Sequence, residues 1–154
     1  MIKILFVCLG NICRSPMAEF VMKDMAQKQG LEEEVYIESA ATSSEEIGNG
    51  MHSGTIAKLT EMKIPFTNRK ARQLTKDDYE NFDYILGMEN KNLHAIRKIV
   101  GQDSERKISR LLDFSQTPRD IADPWYTGNF DVTYQDIVEG CKSFLQWIKE
   151  RTNG

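Results

Sequence analysis

Apolar residues along this chain change their period several times, and the changes mark alternating strands and helices. Residues 2–8, IKILFVC, form a mostly apolar, β-prone run of the kind a strand shows when both of its faces are covered. Ser15-Pro16 then reads as a helix start, with Pro16 in the first position, where its missing N–H costs nothing. Ala18, Val21, Met22 and Met25 follow at helical spacing, and Gly30 stops the helix. VYIES at 35–39 predicts a second strand, followed by a polar, glycine-rich loop over 41–52 and a helix from about Ser53 to Met62. FDYILGM (82–88) is a third strand leading into a helix that ends near Val100, and KISRLL (107–112) is a short fourth. Residues 113–130 hold two prolines and no clear period, so a long loop is expected. A last helix runs from Asp131 to about Arg151, with Tyr134, Ile137, Val138, Cys141, Phe144, Leu145 and Ile148 on one face.

Strands alternating with helices predict a three-layer α/β domain on a parallel sheet. The 154 residues fit one domain, 1–154. A net charge of −3 argues against a nucleic-acid footprint or a polybasic membrane patch, although local donors can still bind an anion. No apolar stretch is long enough to span a bilayer, and the first residues lack a signal-peptide pattern. Three unevenly spaced cysteines do not make a disulfide framework, which points to a reducing cytoplasm. His52 and His94 have no partners at metal-ligand spacing and read as structural or surface residues; no metal or cofactor is expected. Cys141 reads as a core residue.

Unusual chemistry concentrates where the first strand gives way to the first helix, in VCLGNICRSP. A parallel sheet places its ligand beyond the carboxyl ends of the strands, which puts Cys8 at the mouth of a site. Gly10 and Asn11 suit a tight curl that turns backbone N–H groups inward, and the helix adds its positive end. The result is a nest for a tetrahedral oxyanion that Arg14 can close with a two-pronged donor. The same donors favour the thiolate form of Cys8, and Ser15 can hydrogen-bond that sulfur. The loops 41–52 and 113–130 are long enough to be functional.

These segments, with ESAATSS, GNGMHSGT, FDYILGM and DPWYTGNF, resemble the low-molecular-weight protein tyrosine phosphatases over essentially the whole chain. The resemblance implies a four-stranded parallel sheet flanked by helices and metal-free hydrolysis of phosphomonoesters through a phosphocysteine. It implies that Cys8 attacks phosphorus while Arg14 and the amides of Leu9, Gly10, Asn11, Ile12, Cys13 and Ser15 hold the oxygens. Asp123 of DPWY would be the general acid and later the base. Asn11, Ser15 and Ser39 would form a supporting network; where some members carry a histidine in that network, this chain has Arg69. Cys13 would be a redox partner that protects Cys8 through a reversible disulfide.

Leu9, Ile12, Trp125 and Tyr126 are expected to wall an aryl ring. Glu45 stands where relatives often have an aromatic residue, and its carboxylate would disfavour acidic sequences beside the phosphotyrosine. Phosphotyrosine proteins, of the sort a bacterial tyrosine kinase produces, are the expected partners. Phosphoarginine phosphatases of bacteria tend to carry threonine where this chain has Ile12. Arsenate reductases on this fold use two further mid-chain cysteines, and none lies between Cys13 and Cys141. A phosphate-binding or redox-sensing module without catalysis is the alternative of a different class.

Overall fold

The structure, a computed structural model, describes residues 1–152. Its elements run β1 (Ile2–Cys8), α1 (Arg14–Lys28), β2 (Val35–Ala41), α2 (Ser53–Glu61), α3 (Asp78–Asn81), β3 (Tyr84–Gly87), α4 (Asn90–Val100), β4 (Ile108–Arg110), a 3₁₀ turn (Leu111–Phe114), α5 (Pro124–Thr127) and α6 (Phe130–Thr152). The four strands form one parallel sheet in the order β2-β1-β3-β4. β1 is central, and its side chains alternate between two cores. Ile4, Phe6 and Cys8 face α1 and α6, whereas Leu5 and Val7 face α3 and α4 beside Ile85 and Ile96. All four of Ile4, Leu5, Phe6 and Val7 are fully buried, which explains why β1 shows no polar alternation. The α/β, four-stranded parallel architecture expected from the sequence is the one observed. Among the described residues, no helix is long and apolar enough to cross a membrane.

Strand order reverses between β1 and β3: β2 lies to one side of β1, and β3 and β4 to the other. The carboxyl ends of β1 and β3 therefore open a crevice, which the loops after them must line.

Four element assignments need correction. α1 begins at Arg14, so Pro16 is its third residue; the first turn has no intrahelical acceptors for its N–H groups, so the ring is tolerated there too. β2 continues to Ala41, because the backbone of Arg72–Leu74 pairs with its end. β4 stops at Arg110, where Asp113 accepts from the Arg110 backbone and turns the chain into a 3₁₀ turn with Leu111 and Leu112 buried. The expected loop 113–130 contains α5, capped by Asp123.

α6 buries Ile137, Cys141, Phe144, Leu145 and Ile148, as its spacing predicted. It also carries Gly140, where an added Cβ would lie 2.5 Å from Cγ of the fully buried Leu111. Gly140→Ala should therefore lower stability by about 1–3 kcal/mol through overpacking, although alanine favours a helix by about 1 kcal/mol over glycine. A urea unfolding curve decides between the two effects: a raised midpoint would mean that Leu111 can yield.

Candidate active site

β1 delivers Cys8 to the crevice, and five residues separate it from α1. The turn closes because Asn11 adopts a left-handed φ of 57°, a region asparagine tolerates better than most residues. That conformation places the Asn11 N–H 3.3 Å from Cys8 Sγ. The Ser15 N–H, in the first turn of α1, lies 3.4 Å away, and the Ser15 hydroxyl 3.0 Å away. Two N–H donors and a hydroxyl able to donate thus converge on one buried sulfur at the positive end of a 15-residue helix. The loop is pinned from outside by Thr42 N to Cys8 O, Ser43 N to Leu9 O, and His52 N to Ile12 O, at 2.9–3.0 Å.

Asn11 is fully buried and its amide is saturated. Nδ2 donates to Ser15 Oγ at 2.8 Å and to Ser39 Oγ at 2.9 Å, while Oδ1 accepts from the Arg69 guanidinium and from the Arg72 backbone. Ser39 in turn donates to Glu19 at 2.6 Å, and Glu19 accepts from Lys23 at 2.6 Å. Asn11, Ser15 and Ser39 are thus joined by hydrogen bonds. Arg69 donates to Asn11 through two nitrogens.

Arg14 is 1% exposed, a burial tolerable only with partners. One terminal nitrogen donates to the Ile121 carbonyl at 2.8 Å and meets Glu89 at 3.1 Å; the other reaches Asp123 Oδ2 at 3.4 Å. Asp123 Oδ1 accepts from Trp125 N at 3.0 Å, so one carboxylate oxygen caps α5 and the other is turned toward Arg14. The Asp123 loop hangs from two anchors, Ile121 N on Met88 O at the end of β3 and Thr133 Oγ1 on Ala122 O at the start of α6.

The sulfur, Arg14 and Asp123 share a cleft of about 130 Å³ with Leu9, Gly10, Ile12, Cys13, Ser43, Glu45, Glu46, Trp125 and Tyr126. The structure brings together every rim residue named from the sequence. Trp125 and Tyr126 are 58% and 77% exposed and are not core aromatics. His52 braces this wall: its ring stacks on Phe130 and meets Trp125 edge-on, and its Nδ1 caps α2 by accepting from Gly54 N. Several participants escaped the sequence reading, Ser43 and the Arg72 backbone among them. Glu89 follows the third strand, where a carboxylate at a strand's carboxyl end is itself a signal. Glu19 interrupts the buried side of α1, and Glu46 adjoins Glu45. The Ile121 carbonyl leaves no trace in residue type.

A cysteine under backbone donors, an arginine and a carboxylic acid around one small cleft can bind a tetrahedral oxyanion and transfer it to sulfur. Such a Cys-x5-Arg loop on a parallel α/β sheet defines the class of cysteine-based phosphatase sites. Residues 3–153 match the family described as low molecular weight phosphotyrosine protein phosphatase, and the chain belongs to that family. It is 43% identical over 152 residues to the low molecular weight protein-tyrosine-phosphatase YfkJ of Bacillus subtilis, covering 97% of each chain. The crystal structure of YfkJ superposes with a TM-score of 0.95, covering 98% of this chain and 96% of that one. Identity to the low molecular weight phosphotyrosine protein phosphatase of Gallus gallus is 42% over 149 residues, 93% of each chain. The crystal structure of DARP, a Drosophila arginine phosphatase, is also similar, at 31% identity and a TM-score of 0.88, covering 96% of this chain and 98% of that one.

Cys13 is the N-cap of α1, and its thiol is pushed up to about 12, chiefly by burial and then by the charges of Cys8 and Asp123. An exposed thiol gives up its proton nearer 9, so between these values the unfolded chain binds fewer protons than the folded one. Stability from this group is complete below about 9 and declines as pH rises toward 12, by about 1.4 kcal/mol per pH unit. Urea unfolding of Cys13→Ala between about pH 9 and 12 should show stability falling with pH less steeply by that amount; parallel slopes would contradict it.

Proposed function

We propose that this chain hydrolyses phosphotyrosine in proteins through a phosphocysteine intermediate. The convergence of the Asn11 amide, the Ser15 amide and the Ser15 hydroxyl on Cys8 Sγ carries the reading. A thiolate so surrounded attacks phosphorus in line while Arg14 and the loop amides take the three equatorial oxygens. Glu89 and the Ile121 carbonyl hold Arg14 from one side, so its guanidinium plane is set before substrate arrives. As the S–P bond forms, the bond to the phenolic oxygen breaks, and Asp123 gives that oxygen its proton. The incoming phosphate dianion favours a neutral Asp123, because two anions in one small cleft repel. Water then attacks the phosphocysteine, Asp123 takes its proton, and Cys8 departs as a thiolate held by Ser15. No step calls for a metal or cofactor.

Arg14 and Asp123 are 3.4 Å apart in the free cleft. Substrate phosphate replaces this internal pair, which releases the acid as it engages the arginine. Cys13 lines the same cleft, which supports the reading that it traps an oxidised Cys8 as a disulfide. The free thiols among the described residues suit a reducing cytoplasm, and bacterial tyrosine-kinase products suit the substrate class.

Para-nitrophenyl phosphate provides the direct test. Cys8→Ser should abolish turnover, and Asp123→Asn should lower kcat by about 10²–10⁴-fold, the usual weight of a general acid. Wild-type protein that binds phosphate without hydrolysing this ester would instead be a binding module.

Specificity rests on the rim. Leu9, Ile12, Trp125 and Tyr126 offer apolar area to a phenyl ring, while Glu45 and Glu46 place carboxylates beside it. Peptides with acidic residues next to the phosphotyrosine are therefore poorer substrates than neutral or basic ones. Replacing Glu45 by tryptophan removes the charge and adds a stacking surface worth about 0.5–1.5 kcal/mol. Glu45→Trp should raise kcat/KM for aryl phosphates by about 2–10-fold; unchanged kinetics would show that position 45 does not meet the ring. A phosphotyrosine peptide should also outcompete its phosphoarginine counterpart, since Ile12 offers the guanidinium no partner.

A further inference from the structure

We infer that His52 is a positioning residue that registers the segment carrying Asp123 against the loop bearing Cys8. The inference deepens the phosphatase reading and rests on it for its consequence, whereas one arm of its test does not. His52 touches three separate parts of the molecule. Its backbone N–H donates to the Ile12 carbonyl at 2.9 Å, which ties it to the loop between β1 and α1. Its ring nitrogen Nδ1 accepts from Gly54 N at 2.9 Å and caps α2, which fixes the plane of the imidazole. That plane stacks on Phe130, with centroids 5.3 Å apart and 24° between the rings, and meets Trp125 edge-on at 5.5 Å and 77°.

The two ring contacts bracket the part of the Asp123 segment that has least else to hold it. The bonds from Ile121 N to Met88 O and from Thr133 Oγ1 to Ala122 O both act before Asp123. Beyond it, residues 125–129 are all exposed. α5 is a single turn closed by Thr127 N to Asp123 O and Gly128 N to Pro124 O, bonds that lie within the segment itself. A helix of one turn has no stability of its own and needs packing. Trp125 supplies it through its edge on His52, while its backbone N–H donates to Asp123 Oδ1 at 3.0 Å. Seating the indole therefore seats the carboxylate, and the free oxygen, Oδ2, is left facing Arg14.

Gly54 makes the seat possible. A Cβ there would lie 2.3 Å from Cζ of Phe130, so the phenyl ring rests directly on the glycine whose N–H the imidazole accepts. Phe130 opens α6 and Trp125 lies in α5, so one imidazole spans the connection between these helices. A proton is delivered to the phenolic oxygen only from within hydrogen-bond reach, and a displacement of about 1 Å can cost about 100-fold in rate. His52 thus grips the Cys8 loop by its backbone and the acid's segment by its ring.

Two substitutions separate the ring from the cap. His52→Asn keeps an acceptor for Gly54 N, since asparagine is among the best N-caps, but removes the ring. With phenyl phosphate, whose leaving group needs the Asp123 proton as its bond to phosphorus breaks, this variant should lose about tenfold in kcat/KM. With 2,4-dinitrophenyl phosphate, whose phenolate departs unprotonated, the loss should stay below about twofold. His52→Phe restores a ring and lacks the acceptor. It should recover most of the loss on phenyl phosphate while lowering the unfolding temperature by about 2–4 °C. A merely structural role would give the reverse, with activity following the unfolding temperature and both esters affected alike. His52→Ser, another cap without a ring, carries the test if the asparagine variant does not fold. The second arm needs no turnover. In a Trp147→Phe background Trp125 is the one tryptophan left, and its fluorescence anisotropy should fall in His52→Asn and recover in His52→Phe. Unchanged anisotropy in a folded ringless variant, or equal losses on the two esters, would overturn the inference. Wild-type protein that hydrolyses neither ester while the anisotropy falls as stated would overturn the functional reading and leave the brace standing.

Discussion

The site depends on one constraint: a buried sulfur must be ringed by donors that cannot turn away. Cys8 is 3% exposed, and a charge at such depth is tolerated only with hydrogen bonds supplied in advance. The supply comes from a single left-handed residue. Asn11 turns its backbone N–H to the sulfur by its φ and orients the Ser15 hydroxyl by its amide. Its own oxygens are then filled by Arg69 and Arg72. A residue with φ > 0 at full burial is a local cost, of the kind tolerated where surrounding contacts over-determine it. Here six polar contacts do so.

The fold explains why these contacts can be rigid. β1 lies between two hydrophobic cores, so the strand bearing Cys8 has no freedom to slide. α1 packs along the same strand and brings Arg14, Ser15 and Glu19 from one helix, which fixes their spacing. Asp123, by contrast, arrives on a segment tied to the ends of β3 and α6 and surrounded by exposed Trp125 and Tyr126. In the proposed cycle the attacking group and its anion clamp stand on the core, and the proton donor stands on the surface. That division suits the chemistry, since the acid must face leaving groups of varied shape while the phosphate geometry never changes.

How legible this was in the sequence varied with the range of the interaction. β1 and the buried face of α6 were plain, because uninterrupted or strictly periodic apolar residues leave few alternatives. Cys8, Arg14 and Ser15 were plain because they act within one turn of chain. Asp123 and the rim became visible through resemblance rather than periodicity, since nothing local says that residue 123 meets residue 14. The short α5 and the 3₁₀ turn after β4 were missed for a related reason. Both are four-residue turns held by a side-chain cap, Asp123 in one and Asp113 in the other, and four residues are too few to show a period. Pro16 was misplaced by two residues, because proline is tolerated throughout the first turn of a helix and so marks its beginning only loosely. Glu89 was hidden most deeply. It acts on Arg14, far away in sequence, and a charged residue in a polar segment looks the same whether solvated or buried.

Charge ties these observations together. The chain is net negative, and Glu45, Glu46, Glu89 and Asp123 all lie at or beside the cleft, a sign of charge opposed to binding an anion. The carboxylates differ in what they do. Glu89 sits against Arg14 and never needs to leave, so it sets the guanidinium's orientation at the cost of part of its charge. Asp123 meets Arg14 at 3.4 Å, the contact that phosphate replaces in the proposed cycle. The rim pair acts at longer range, where water screens it, and so weighs on flanking residues of the substrate more than on phosphate itself. Phosphate binding is then decided over a few ångströms by amides that carry no net charge and cannot be repelled by the rim. An acidic surface and an oxyanion site are compatible because the first works through screened charge and the second through fixed dipoles at contact.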